Sequence, residues 1–302
     1  MSSWYTLREL AGGGNNEGIA VVMEYGTGMM AIRKSLNPTM SQKSVGDEVA
    51  MMEKLVNHPN IVQIYDSILA SEDNSVHQDK IYMEYCKTIV DGREINTIHE
   101  LSRIYLSKRE TVPELFLWHL AEDMLRAIVF MQFGVRDVAN EPNPKWEAIF
   151  HNDLYPVNVF LSAKTGSGTS TKAINMKQEY PRIVVGDFGQ ANTESGIQAY
   201  LAKHLSSKGY SLRRSDNKDI NSVYDILQLF TVIRSPWVTV PESPLVTVPK
   251  NPWSFSAELR EMMLSLKKVK DGSQSILTIL RELIKTKERL IDEEKLVFKP
   301  LL

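Results

Sequence analysis

The sequence is short of cysteine, of charge imbalance and of long apolar runs. Cys86 is the only cysteine in 302 residues, which excludes an internal disulfide framework and leads us to expect a reducing compartment. A formal net charge of −2 argues against a polybasic surface for nucleic acid or anionic membrane. No stretch approaches the roughly eighteen apolar residues of a membrane span, and Met1 to Arg8 lacks the basic segment and apolar run of a secretory signal. Cytosol, or the nucleus, is the expected location, with neither membrane nor nucleic acid as a partner. Internal repeats and coiled-coil heptads are also missing. What is present is ordinary for a globular chain, 43% hydrophobic and 24% charged residues, enough for one large domain or two modest ones.

The most informative stretch is His151-Asn152-Asp153-Leu154-Tyr155-Pro156-Val157-Asn158, followed by the strand-like Val159-Phe160-Leu161. Further on, the apolar Val184-Val185-Gly186 leads into Asp187-Phe188-Gly189. Carboxylate and amide oxygens at Asp153, Asn158 and Asp187 suit a hard cation and a base beside a hydroxyl, which is what phosphoryl transfer asks of a protein. Either short motif alone is weak, because Asp, Asn and Gly are favoured in turns anyway. The two in order, separated by strands, resemble the catalytic loop and metal-binding turn of the eukaryotic protein kinases, nearest in pattern to the NIMA-related serine/threonine kinases.

That resemblance runs over nearly the whole chain, about residues 4–290, and implies an α+β, bilobal protein-kinase-like fold in one domain, 1–302. Residues 4–86 would form a small β-sheet lobe with one helix and the hinge, and 87–302 a larger, mostly helical lobe. ATP and Mg²⁺ are the implied cofactors. Gly12, Gly14 and Gly18 lie where the phosphate-covering glycine loop is expected, although the family's GxGxxG is here one residue longer; a glycine cluster lets backbone N–H groups approach phosphate oxygens. The strand Ala31-Ile32-Arg33-Lys34 should carry the phosphate-pairing cation. Arg33 fits a literal match to the family's AxK and Lys34 fits if Ile32 replaces the small residue; a compact ammonium favours Lys34. Apolar spacing predicts a helix over 41–56, capped by Ser41 or Ser44, and containing Glu48, the implied partner of that cation. Ile81 to Cys86 resembles the fifth strand and hinge, with Met83 at the back of an adenine pocket and main-chain groups of Glu84 and Cys86 on the base. In this scheme Asp153 is the base for the acceptor hydroxyl, and Asn158 and Asp187 hold metal.

Other segments read from pattern alone. Pro113 at the first turn and a wide apolar face predict a long helix to about Gln132. Residues 134–147 and 162–180 read as loop insertions. The proline-rich 237–253 reads as an irregular connection, and Phe255 to Leu266 and Ile276 to Leu290 as closing helices.

The chain departs from the family pattern at points that bear on catalysis. Asn152 replaces the arginine that reads an activation-segment phosphate, so switching by such a phosphate is not expected. Tyr155 stands where kinases of this pattern have a lysine facing the transferring phosphoryl group, and losing one preorganised electrostatic contact costs on the order of 10² to 10³ in rate. Ala-Pro-Glu is absent between Asp187 and Asp219, and with it the arginine that would pair with its glutamate, so the peptide platform should be shortened or rebuilt. The Lys218-Asp219 stretch resembles the start of the family's buried sixth helix. Two classes of function follow: a Ser/Thr kinase acting on a protein substrate, or a pseudokinase-like nucleotide-binding module that holds or regulates a protein partner.

Overall fold

The computed structural model describes residues 4–10, 16–36, 45–69, 79–163, 180–204, 213–231, 255–269 and 275–302. Gly12, Gly14, the candidate caps Ser41 and Ser44, most of the 162–180 insertion and the 237–253 connection lie outside them.

Glycine- and turn-separated runs of β-branched and aromatic residues build a five-stranded antiparallel sheet. Its strands are β1 (Trp4–Leu10), β2 (Asn16–Glu24), β3 (Met30–Leu36), β4 (Ile64–Ile68) and β5 (Asp79–Glu84), in the order β1-β2-β3-β5-β4. The two-residue period of β3 sorts its side chains. Ala31 and Arg33 share the face on which Ala20, Val22 and Tyr82 form a small apolar cluster, with Trp4 stacked on Tyr82 at 5.3 Å. Ile32 and Lys34 point to the other face, towards the larger core. Helix α1 (Val45–Lys54) buries Val45, Glu48, Val49 and Met52, spaced three, one and three apart, against that same core.

The remainder is mainly helical. A hairpin of β6 (Thr88–Val90) and β7 (Arg93–Ile95) turns through Asp91 and Gly92, both with positive φ. Helix α2 (Ile98–Lys108) starts from a reciprocal capping box between Thr97 and Glu100, a device that satisfies two orphan N–H groups at once. Helix α3 (Glu114–Phe133) follows Pro113 and buries residues all round its axis, so it is the centre about which the other helices pack. Next come β8 (Ile149–Phe150), a 3-10 turn at Pro156–Asn158, the antiparallel pair β9 (Val159–Ser162) and β10 (Arg182–Val185), and a second 3-10 turn at Phe188–Gln190. Strand β11 (Asn192–Thr193) returns to pair with β8 and leads into α4 (Glu194–His204). Helices α5 (Arg213–Thr231), α6 (Ala257–Lys268) and α7 (Ile276–Asp292) complete the chain.

The architecture is therefore α+β, with an N-terminal antiparallel sheet and helices after it. No helix among the described residues is long and apolar enough to cross a membrane. Two helix starts differ from the sequence reading. Helix α5 begins at Arg213, ahead of Lys218. Helix α6 begins after Phe255, because the Ser256 hydroxyl accepts from Leu259 N–H and sets the start. The loop before β8 stays irregular, while α2, α4 and the β6–β7 hairpin are elements that the periodicity reading passed over.

Candidate functional site

A cleft of about 270 Å³ opens between the five-stranded sheet and the β9–β10 pair. Ile19 and Ile32 face it from the sheet, Met83 and Val62 from the back, and Val157 and Phe160 from the helical side. Gly186 allows this floor: a Cβ there would lie 2.9 Å from the Phe160 ring and 3.1 Å from Val62. The backbone thus passes between them on its way to Asp187.

At the polar end of the cleft three ionic groups meet. Lys34 Nζ donates to Glu48 Oε1 at 2.9 Å and Oε2 at 3.2 Å, and to Asp187 Oδ1 at 2.8 Å. The lysine and Glu48 are buried, whereas the Asp187 side chain keeps 39% of its surface exposed. Burial alone would push the Lys34 ammonium down, but the Glu48 and Asp187 carboxylates together more than reverse this and hold its pKa above the ordinary value. Burial would likewise raise Asp187, and Lys34, the His151 ring and the Gly189 N–H outweigh it, so its carboxyl sits below the usual range. Lys34 and Asp187 are therefore both charged near neutrality. Arg33, the alternative cation, points away: its guanidinium binds Thr6 and Glu9 on the opposite face of the sheet.

The loop bearing Asp153 is pinned from beneath. Asp219, fully buried in α5, accepts from the backbone N–H groups of His151 at 2.8 Å and Asn152 at 2.9 Å. Asn152 adopts a left-handed conformation, φ 64°, which asparagine tolerates better than most residues. Its amide donates to Phe150 O and Gln190 O, tying the loop to the turn after Asp187. The buried His151 ring accepts from Asp153 N–H through Nδ1, at 3.3 Å, and lies 2.9 Å from Gly186 O through Nε2. One tautomer, protonated on Nε2, satisfies both contacts.

Asn158 Nδ2 donates to Asp153 O at 2.8 Å and to Asp153 Oδ2 at 3.1 Å. Both are acceptors, so the amide nitrogen faces Asp153 and the Oδ1 oxygen faces elsewhere. Asn158, Asp187 and Lys34 line the same cleft. An amide oxygen and a partly exposed carboxylate are hard donors of the kind that a divalent cation such as Mg²⁺ takes.

At the other end of the cleft Met83 pairs across the sheet with Ile32. The Glu84 N–H donates to Gln63 O at 2.8 Å, and the Cys86 carbonyl accepts from Asn96 Nδ2 at 2.6 Å. Two of the four main-chain groups expected to face a base are thus already engaged by protein. Burial pushes the Cys86 thiol well up, which removes thiolate chemistry there. Gly18 lies in β2 with open space where a side chain would be. Tyr155, at the tip of the loop beside Asp153, is 56% exposed.

Sequence reasoning missed three residues of this neighbourhood. Asn96, before the unanticipated α2, lines the cleft. Glu84 carries a side-chain role besides its main-chain one, in a partly buried contact with Arg182. Arg136 reaches the turn after α1. Contacts made over about ten to a hundred positions leave no periodic trace in a single sequence. No protein-family model matches the chain, and no curated protein matches it.

Proposed function

We propose that the chain is a divergent member of the eukaryotic protein-kinase superfamily that binds Mg²⁺-ATP in the Lys34 cleft and transfers its γ-phosphoryl group to a serine or threonine hydroxyl of a protein. The observation that carries this reading is the Lys34 ammonium held between Glu48 and Asp187 at the mouth of a cleft that Asn158 also lines. In it a strand cation, a helix carboxylate and two oxygen donors from distant parts of the chain converge, as positioning and electrostatic stabilisation of a triphosphate require.

The adenine ring would lie between Ile32 and Phe160 against Met83, its edge read by the Glu84 carbonyl and the Cys86 N–H. Lys34 would bind phosphate oxygens, with Glu48 fixing its position. Asn158 and Asp187 would hold Mg²⁺, which when bound neutralises charge on the phosphate oxygens. The Asp153 carboxylate, oriented by the Asn158 amide, would accept the proton of the attacking hydroxyl as the new P–O bond forms and ADP leaves. Turnover should be slow, because the exposed Tyr155 supplies one neutral donor where a second cation would stabilise developing charge.

The same residue favours a second reading, a nucleotide-binding module that holds a protein partner with little chemistry. Asp153→Asn separates the two. Under the kinase reading it abolishes transfer of labelled γ-phosphate to a broad protein mixture and leaves Mg²⁺-ATP binding nearly intact. Transfer that survives the substitution means the base is elsewhere, and no transfer by the parent protein leaves the binding module.

A further inference from the structure

Glu48 can hold Lys34 only if α1, a helix of ten residues, is kept against the cleft. Besides its packing on the core, α1 is reached by the loop of residues 134–148 at the end of α3. This loop is itself well anchored. It begins at Gly134, φ 67°, where a Cβ would lie 2.7 Å from the Trp146 ring. Trp146 Nε1 donates to Met131 O at 2.8 Å, and Asn143 N–H to Phe133 O at 3.0 Å. From the far side Arg281 of α7 donates to Val138 O at 2.8 Å and Asn140 O at 2.9 Å.

From that base two side chains reach α1 and the turn behind it. The Arg136 guanidinium donates to Asn57 O at 2.7 Å and Val56 O at 2.8 Å while lying over the Phe130 ring at 4.5 Å. Phe130 is also stacked, at 4.7 Å, with His58, the residue that follows Asn57. Glu147 binds Lys54, in the last turn of α1, at 3.1 Å, and with its other oxygen accepts from the Ser195 hydroxyl at the start of α4. The neighbouring Ala148 carbonyl accepts from Glu194 N–H at 3.0 Å. One loop therefore grips both the C-terminal end of the Glu48 helix and the segment that follows Asp187.

We infer that Arg136 and Glu147 are positioning residues that hold α1 and the 188–196 segment in the arrangement that pairs Lys34 with Glu48 and Asp187, without any phosphate on the chain. The inference about nucleotide rests on the function proposed above; that about α1 does not. The two residues differ in weight. A guanidinium fork on two carbonyls is charge-assisted and planar, and an alanine cannot replace it. The Lys54–Glu147 pair is half exposed, so its share is small.

Amide hydrogen exchange of the full chain, without nucleotide, tests the first part. Arg136→Ala should raise exchange in residues 45–54 about tenfold or more, with α7 and β9 unchanged; Arg136→Lys should restore only part of the protection. Glu147→Gln should raise exchange chiefly in 188–196. Unchanged protection of 45–54 in Arg136→Ala overturns the inference, as does a uniform loss over all helices, which would mean general destabilisation. The second part is read by titration with Mg²⁺ and a non-hydrolysable ATP analogue. Affinity at least about threefold weaker in Arg136→Ala supports positioning. Equal affinity with a loosened α1 overturns it. Absence of binding by the parent protein overturns the nucleotide reading itself, and the exchange result still stands.

Discussion

Lys34 and Asp187 are 153 positions apart, and their charged groups meet at 2.8 Å in the cleft, with Glu48 at 2.9 Å on the other side of the same ammonium. Removing one member of a buried ion cluster leaves the others uncompensated, at a cost of about 3–5 kcal/mol. Lys34→Met should therefore lower stability by about 3 kcal/mol, and Glu48→Leu on top of it should recover part of the loss. Chemical denaturation of the single and double variants measures both. A single variant as stable as the parent would mean that the cluster carries no such tension.

His58 should contribute to the loss of stability between pH 6.5 and 4. Its ring is buried against Phe130 with Arg136 and Arg126 nearby; burial first, then these cations, lower its pKa from 6.5 to about 4. The unfolded chain then binds the extra proton between those values, so stability is full above pH 6.5 and falls as pH drops towards 4, by about 3 kcal/mol in all. Burial raises the buried Asp219 carboxyl, which works in the opposite direction on an overlapping range. The difference between parent and His58→Leu isolates the histidine: it should slope between pH 6.5 and 4 and be flat above. A flat difference throughout would remove the assignment.

The carboxylate beneath the loop makes a separate prediction. Asp219→Ala would strand the buried N–H of His151, at about 1–3 kcal/mol, and the partly buried N–H of Asn152, at less. Asp219→Asn retains one acceptor and should cost less. Melting curves of the two variants, compared with the parent, should fall in that order; equal melting points would show that solvent or other groups take over both donors.

Tyr155 is 56% exposed, so changing it should leave stability within about 0.5 kcal/mol. If transfer occurs, Tyr155→Lys should raise kcat about 10- to 100-fold by placing a cation at the loop tip, with KM for ATP little changed. A rate equal to the parent's would mean that Tyr155 does not face the reacting phosphoryl group.

How much of this was legible beforehand depends on the range of the interactions. The strands, α1, α3, α6 and α7 follow from apolar periodicity, which is local; their ends differ by about two residues, at α1, α6 and α7, and at the start of α6 the Ser256 cap sets the difference. Helix α2 was passed over because its signal is the Thr97–Glu100 capping box rather than a long apolar stripe. The choice between Arg33 and Lys34 stayed open in the sequence because both are cations one residue apart. In the structure Lys34 lies on the cleft face of the strand, and Arg33 on the opposite face, bound to Thr6 and Glu9. Arg136 was invisible, since its partners are backbone carbonyls about eighty positions away and carbonyls carry no sequence identity.

The most direct test of the central claim is a melting experiment with Mg²⁺-ATP. If Lys34, Asn158 and Asp187 hold a metal-bound triphosphate, ligand at about a hundred times its Kd should stabilise the protein by about 2.7 kcal/mol. For a chain of this size that is a rise of several degrees in Tm, about 2–4 °C per kcal/mol. The rise should require the metal and disappear in Asp187→Ala. A parent protein whose Tm does not move with millimolar Mg²⁺-ATP, or an Asp187→Ala variant that shifts as much as the parent, would contradict the account.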